Sequence, residues 1–295
     1  MKNIRIYLCL LLILAAIASA CSGNASDGAA VLDEDAEIME VYVFKSDNSE
    51  AILITVGGKA VMIDAGSQKQ SDKIKKYLKK NGITNIDYLI ATHFDNDHIG
   101  GADTLLKKLK VGKVIVPDYK MESVQYEEFK KALKKSDAKK VILTGTLNFT
   151  LGGADFTVYP SMLEFKDFRG DEGDDDENWE NDFSIAVKVV HGGNSFLFTG
   201  DAMDSRIGEL LADEDIVGVP YTFLKMPHHG KYHKNIDSLV KVTDPKYAVV
   251  TDSSKRPANK KTVSALERNG TKVFCTSITG VLCRSDGNGV TVENK

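Results

Sequence analysis

The apolar positions of this chain come first in short runs and only later at helical spacing. Residues 41–44, 51–56 and 60–63 are brief stretches rich in valine and isoleucine, too short for helices, and Gly57-Gly58 supplies a hairpin turn between the last two. Residues 71–81 then space their apolar positions as a helix does, with a serine at the start and Gly82 at the end. From there strands and helices alternate: strand 88–92, helix 102–109, strand 114–116, helix 124–135 and strand 141–143. Residues 156–159, 184–190 and 195–199 read as strands, the last two joined by His191-Gly192-Gly193-Asn194, which makes His191 a turn residue. A helix from Ser205, strand 222–226, helix 236–242, strand 247–251 and helix 260–269 follow, and the closing strands pair around Gly280 and Gly287-Asn288-Gly289. No internal repeat interrupts this order, which predicts an α/β fold.

The first residues carry a different pattern. Lys2 and Arg5 precede an apolar run over residues 6–18 and then Ser19-Ala20-Cys21. The run of 13 residues is shorter than the roughly 20 of a spanning helix. A basic start, a short apolar core and small residues at its end predict a signal peptide over residues 1–20. Cys21 stands where a bacterial lipobox places its lipidated cysteine; an ordinary signal peptide with a chance cysteine is the alternative. Residues 21–38 then form a flexible tether, and residues 39–295 one domain long enough for a full core. The expected location is the outer face of a bacterial membrane, anchored through Cys21, or secreted.

Charge refines the picture. Lys and Arg number 38 against 42 Asp and Glu, a net −4, and loss of Lys2 and Arg5 with the leader takes it to −6. Residues 164–182 hold ten acids against Lys166 and Arg169, so this one segment carries −8 and the rest of the mature chain about +2. Its spacing fits no EF-hand, and it reads as a solvated acidic loop. Lysines cluster at 73–80, 130–140 and 255–261. Cys275 and Cys283 flank an expected hairpin at Thr279-Gly280, as a disulfide or as two free thiols; with no second pair they make a poor zinc site.

One stretch concentrates chemistry. Thr92-His93-Phe94-Asp95-Asn96-Asp97-His98-Ile99-Gly100-Gly101 packs two imidazoles and two carboxylates between an apolar strand and two glycines. It falls at the C-terminal end of a strand, where open α/β sheets hold ligands. In HxDxDH, alternate residues can face one side while the last two turn to the other, an arrangement able to serve two metal ions.

THFDNDHIGG resembles the signature of the metallo-β-lactamase superfamily, commonly HxHxDH, and its aspartate variant is similar to the metallohydrolase domain of the DNA-uptake channel protein ComEC. Further segments agree in order: Ile63-Asp64-Ala65-Gly66; Asn181-Asp182-Phe183-Ser184, similar to an NDxS segment; Leu197-Phe198-Thr199-Gly200-Asp201; and Leu224-Lys225-Met226-Pro227-His228-His229-Gly230. Three places depart from the pattern. Ser46-Asp47-Asn48-Ser49-Glu50 stands where ComEC-like domains carry DVGQGD, Arg256 precedes Pro257 where a histidine is usual, and Lys231 follows His-His-Gly in place of a serine.

The resemblance implies a four-layer αββα sandwich and two divalent ions. His93 and Asp95 would hold one, helped by Asp182 or the Asn181 carbonyl; Asp97, His98 and His228 would hold the other, with Asp201 between. Of the adjacent pair His228 is preferred as ligand, His229 then serving substrate together with Lys225 and His233. A carboxylate-rich cage favours manganese, and zinc accepts the same donors. The ions would make hydroxide available near neutral pH, with Asp97 as the catalytic residue that binds metal and orients it. The implied activity is a metal-dependent phosphodiesterase or nuclease acting on extracellular DNA, with the lysine clusters facing phosphates. The alternatives are hydrolysis of a cell-wall phosphodiester, a lactone or a β-lactam, or a binding lipoprotein with a relic site, against which the complete ligand set argues. No protein partner is inferred.

Overall fold

The alternating runs resolve into strands that face two different cores rather than a core and solvent. In the computed structural model, which describes residues 37–163 and 179–295, Ile52, Ile54 and Val56 of β2 (Ile52–Val56) enter one cluster and Leu53 another. Val61 and Ile63 of β3 (Lys59–Ile63) divide from Met62 in the same way. Apolar residues on both faces of a pleated strand require cover on both sides, and that demand sets the architecture.

One sheet combines β1 (Met39–Val43), β2, β3, β4 (Asn85–Ile90), β5 (Lys110–Pro117), β6 (Lys139–Leu143), β14 (Val281–Ser285) and β15 (Val290–Asn294) in the order β15-β14-β1-β2-β3-β4-β5-β6. The second holds β7 (Leu147–Leu151), β8 (Ala154–Tyr159), β9 (Ala186–His191), β10 (Asn194–Phe198), β11 (Phe223–Lys225), β12 (Tyr247–Val250) and β13 (Lys272–Cys275), in descending order from β13 to β7. Val41, Ile54 and Ile90 of the first sheet meet Phe156, Phe196, Phe198 and Phe223 of the second in the inter-sheet core. Helices α1 (Ser71–Lys80), α2 (Asn96–Ile99), α3 (Ala102–Lys108) and α4 (Val124–Lys135) cover the outside of the first sheet, burying Ile74, Leu105 and Phe129 against Leu53, Met62 and Leu89. Helices α5 (Asp204–Ala212), α6 (Ile236–Thr243) and α7 (Lys260–Arg268) cover the second, with Ile207, Leu239 and Leu266 on Leu197, Leu224 and Ala248. The result is the four-layer αββα sandwich. Emptying one inter-sheet phenylalanine, as in Phe196→Ala, would cost about 3–5 kcal/mol.

The layout gathers the site. β3, β4 and β5 run parallel, as do β10, β11 and β12. Asp64, the 92–98 segment, Thr199-Gly200-Asp201, the 226–230 turn and Thr251 all follow the C-terminal ends of these parallel strands, the edge where α/β folds place ligands.

Two expectations change. The strand β7 has no counterpart in the sequence reading, because its half-exposed edge position leaves little apolar contrast. The expected hairpin at Gly280 is instead a crossing between sheets: Cys275 pairs with Val250 in one sheet and Cys283 with Val41 in the other. Both cysteines are free thiols. The signal segment, nearly all of the 21–38 tether and most of the acidic loop lie outside the described residues. Among the described residues no helix is long and apolar enough to cross a membrane.

Candidate metal centre

The first wall of the site is built by a hydrogen-bond relay that ends in aimed imidazoles. Asp64 follows β3 with φ 57°, an uncommon backbone state that turns its carboxylate inward. Its Oδ1 accepts the Thr92 amide at 2.8 Å and its Oδ2 accepts the Thr92 hydroxyl at 2.7 Å. Because the Thr92 hydroxyl spends its proton on Asp64, its lone pair accepts His93 Nδ1–H at 3.0 Å. The same Oδ2 accepts His98 Nδ1–H at 2.7 Å. Both rings are thereby held through Nδ1 with Nε2 pointed away from the wall, the usual way a protein orients a metal-binding imidazole.

The second wall comes from the other sheet. His229 Nδ1 lies 3.0 Å from the Thr251 carbonyl, which can only accept, so this ring carries a hydrogen on Nδ1 and aims its Nε2 into the site. His228 and His229 both take positive φ, 47° and 52°, so the chain bends sharply after Pro227 and sends the two rings apart. Asp201 is fixed by Ser184 Oγ, which accepts its amide hydrogen at 3.0 Å, and by Lys225 Nζ at 3.5 Å. Gly200 lets this happen: at φ 53° an added Cβ would press on Ser184 and Thr92 at 3.0 Å.

The walls converge. His98 Nε2 is 3.3 Å from Asp201 Oδ2, His229 Nε2 is 3.0 Å from the same oxygen, and 3.3 Å separates His229 Nε2 from Asp97 Oδ2. His93 Nε2 is 3.6 Å from Asp95 Oδ2. Three groups each bring their ligand atoms within 4.8 Å of one another: His93, His98 and Asp201; Asp97, His98 and His229; and Glu50, Asp201 and His229. The Nε2 atoms of His93, His98 and His229 are buried without a hydrogen-bond partner among the described residues. Three aligned, orphaned nitrogens beside carboxylates are the donor set a divalent cation satisfies, so the residues present fit a metal.

Electrostatics say the same. Burial works against charge on His98, yet Asp201 and Asp64 outweigh it and hold its pKa well above that of an ordinary histidine. His229 is raised by Asp201 and Asp97 against its burial. Burial alone would raise Asp97 and Asp201, but His229 and His98 pull both below the usual carboxylate range, with Lys225 adding to Asp201. The pocket keeps its carboxylates ionised and draws in positive charge, as protons or as a cation.

Several sequence assignments move. His229, expected beside the substrate, sits in the cage, while His228, expected as the ligand, turns out of it. His228 Nδ1 lies 3.1 Å from His233 Nε2 and its Nε2 lies 2.6 Å from Lys231 Nζ. Burial, with Lys231 and His233, pushes its pKa down to about 3. His233 stacks on His228 with ring centres 5.2 Å apart. Asp182 Oδ1 accepts the Met203 and Arg206 amides at 3.1 and 2.9 Å, caring for the unpaired N–H groups at the start of α5, and joins none of the three groups. Lys225, expected to face substrate, is wholly buried: Nζ pairs with Glu50 and donates to the Gly200 carbonyl at 2.8 Å. The sequence reading assigned no role to Glu50, Asp64 or Thr92. Asp64 and Thr92 were signalled by their places at the ends of β3 and β4; Glu50 carried no signal, since its partner Lys225 lies 175 positions away.

Comparison with known proteins follows the same lines. The model of the metallo-β-lactamase superfamily matches residues 46–250. ComE operon protein 3 of Bacillus subtilis is 25% identical over 214 residues, which span 70% of this chain and 25% of that protein. Recombination protein 2 of Haemophilus influenzae is 26% identical over 226 residues, 74% of this chain and 25% of that one. The chain thus spans about a quarter of the length of these relatives. Among solved structures, the metallo-β-lactamase fold protein YhfI of Bacillus subtilis superposes with a TM-score of 0.50 at 13% identity, covering 80% of this chain and 96% of that one.

Proposed function

Because this chain belongs to the metallo-β-lactamase superfamily, we propose that it is a dinuclear metal-dependent hydrolase that cleaves phosphodiesters, with extracellular DNA as its substrate. The observation that carries the reading is the convergence of the free Nε2 atoms of His93, His98 and His229 on Asp97 and Asp201. His93, Asp95 and Asp201 would hold one ion, and Asp97, His98, His229 and Asp201 the other. Manganese suits so oxygen-rich a cage at least as well as zinc. Bound divalent ions supply Lewis acidity and an acidified water.

The chain's own groups do the rest. Asp97 stays ionised and accepts a hydrogen from the attacking water, directing its lone pair at phosphorus. Thr92 and Asp64 hold the His93 and His98 rings through Nδ1, so that Nε2 stays aimed at the ion. Lys225 and Ser184 hold Asp201 in place while charge moves. The substrate class is supported by relatives named for the ComE operon and for recombination. Residues 2–21 further support anchoring of the domain outside the membrane through Cys21. Loss of membrane retention in Cys21→Ser cells would support the anchor, and unchanged retention would reject it.

The test of activity is turnover of bis(p-nitrophenyl) phosphate by protein stripped and reloaded with manganese or zinc. Metal-restored turnover supports the reading. A fully loaded protein that opens a lactone or β-lactam but cleaves no phosphodiester refutes it.

A further inference from the structure

Beside the cage lies a cleft of about 540 Å³ that reaches Asp97 at one end. Ligand pockets of this size, within the range of about 300–1,000 Å³, are mostly lined by apolar side chains. This one has none: its walls are asparagine, glutamine and serine side chains with two acids, Asp47 and Asp97, and four cations, Lys69, Lys73, Lys255 and Arg256. No apolar side chain is there to hold an acyl group or drug-like ring.

The cations arrive from two distant parts of the chain. Lys69 and Lys73, four residues apart where a short turn leads into α1, share one face. Lys255 and Arg256 stand on the loop after β12 and line the same cleft. All four are exposed, and among the described residues none joins an ion pair. By contrast Lys75, on the same helix but outside the cleft, is spent on Asp72 at 2.6 Å. The cleft is also braced. Ser49 Oγ bonds Gln70 at the foot of α1, and Ser253 Oγ bonds Asn48 across the two loops. Arg256 N donates to Ser253 Oγ at 3.0 Å, so the second wall is tied to the first.

We propose that this cleft seats the phosphate backbone of a DNA duplex beside the bond being cut, with Lys69 and Lys73 on one side of the backbone and Lys255 and Arg256 on the other. The inference rests on the phosphodiesterase reading and specifies where the polymer lies. Free cations gathered from two parts of the chain along one polar trough suit consecutive phosphates. No aromatic side chain lines the trough, so bases have no surface to stack on, and recognition falls on the backbone without regard to sequence.

The experiment is fluorescence anisotropy of the metal-loaded protein with a short labelled duplex DNA whose phosphorothioate linkages resist hydrolysis but keep their charge. The paired variants Lys69→Ala/Lys73→Ala and Lys255→Ala/Arg256→Ala are each expected to weaken binding about tenfold or more and to reduce the slope of log K against log salt by about 2. Lys134→Ala/Lys135→Ala, at the far end of α4, removes the same charge and is expected to leave binding within about twofold. Equal losses in all three variants, no loss in the cleft variants, or tighter cleft-dependent binding of poly(glycerol phosphate) than of DNA would each overturn the proposal. Turnover of bis(p-nitrophenyl) phosphate is read separately. If the wild type holds DNA through the cleft yet hydrolyses no phosphodiester, the hydrolytic reading falls and the cleft assignment stands.

Discussion

The cage and the cleft share Asp97 and differ in almost everything else. In the cage the three imidazoles and Asp201 are buried and each is held by a neighbour: His98 by Asp64, His93 by Thr92, His229 by Thr251, Asp201 by Ser184 and Lys225. In the cleft the charged groups are exposed and only the loops that carry them are braced. The difference separates two tasks. Charge stabilisation at a reacting bond needs groups that do not move, since reorganisation would consume the benefit. Attraction of a polyanion needs reach and sign, which mobile lysines on a firm base supply. A cage substitution should therefore strip metal, and a cleft substitution should weaken polymer binding and leave metal alone.

The largest break would come at the shared residue. Asp97→Ala is expected to abolish detectable turnover and to lower metal content, while circular dichroism and Tm stay near wild type because Asp97 lies on the short helix α2 at the edge of the site with its side chain half-exposed. Retained turnover would remove Asp97 from the chemistry. Next comes the buried pair. Lys225→Met leaves the Glu50 carboxyl unpaired in a fully buried site, which should destabilise by about 3–5 kcal/mol in urea unfolding. The double variant Glu50→Gln/Lys225→Met should recover much of that loss. A double variant no more stable than the single one would show that the pair is not the source. Smaller still is the relay: Thr92→Val removes the acceptor for His93 Nδ1–H and should weaken metal affinity about 10–100-fold, read by chelator competition. Unchanged affinity would make the relay packing only.

The smallest effect lies outside both regions. Burial, with the Asp252 carboxylate beside it, pushes the Cys275 thiol up to about 11. Its thiolate is the reactive form, so alkylation of the native protein should be slow at pH 8, where only about one thiol in a thousand is ionised, and should quicken as pH rises toward that value. Rapid labelling at pH 8 would show the strand β13 opening to solvent.

The strand and helix order was readable in the sequence from its periodicity, and the sandwich and most of the cage through the family resemblance of motifs placed at strand ends. Residues that act together in the cage mostly lie at strand ends, and strands announce themselves by alternation: His93 to His98 after β4, Asp201 after β10, the double histidine after β11. What stayed hidden depended on backbone direction or on long-range partners. Which of His228 and His229 turns inward is decided by two positive φ values and by the Thr251 carbonyl, neither visible in Pro-His-His-Gly. The solvent-shielded role of Lys225 needed Glu50, a residue from a loop that lacks the expected glycines. The cleft required Lys69 and Lys255 to be seen as neighbours, although two of the three lysine clusters contribute to it.

The central claim is that the free nitrogens of His93, His98 and His229 define the metal site, and the adjacent histidines test it most directly. Elemental analysis of purified protein, after equal exposure to manganese or zinc, should find His229→Ala short of at least one ion per chain and His228→Ala at the wild-type content. Full metal content in His229→Ala together with a loss in His228→Ala would contradict the account.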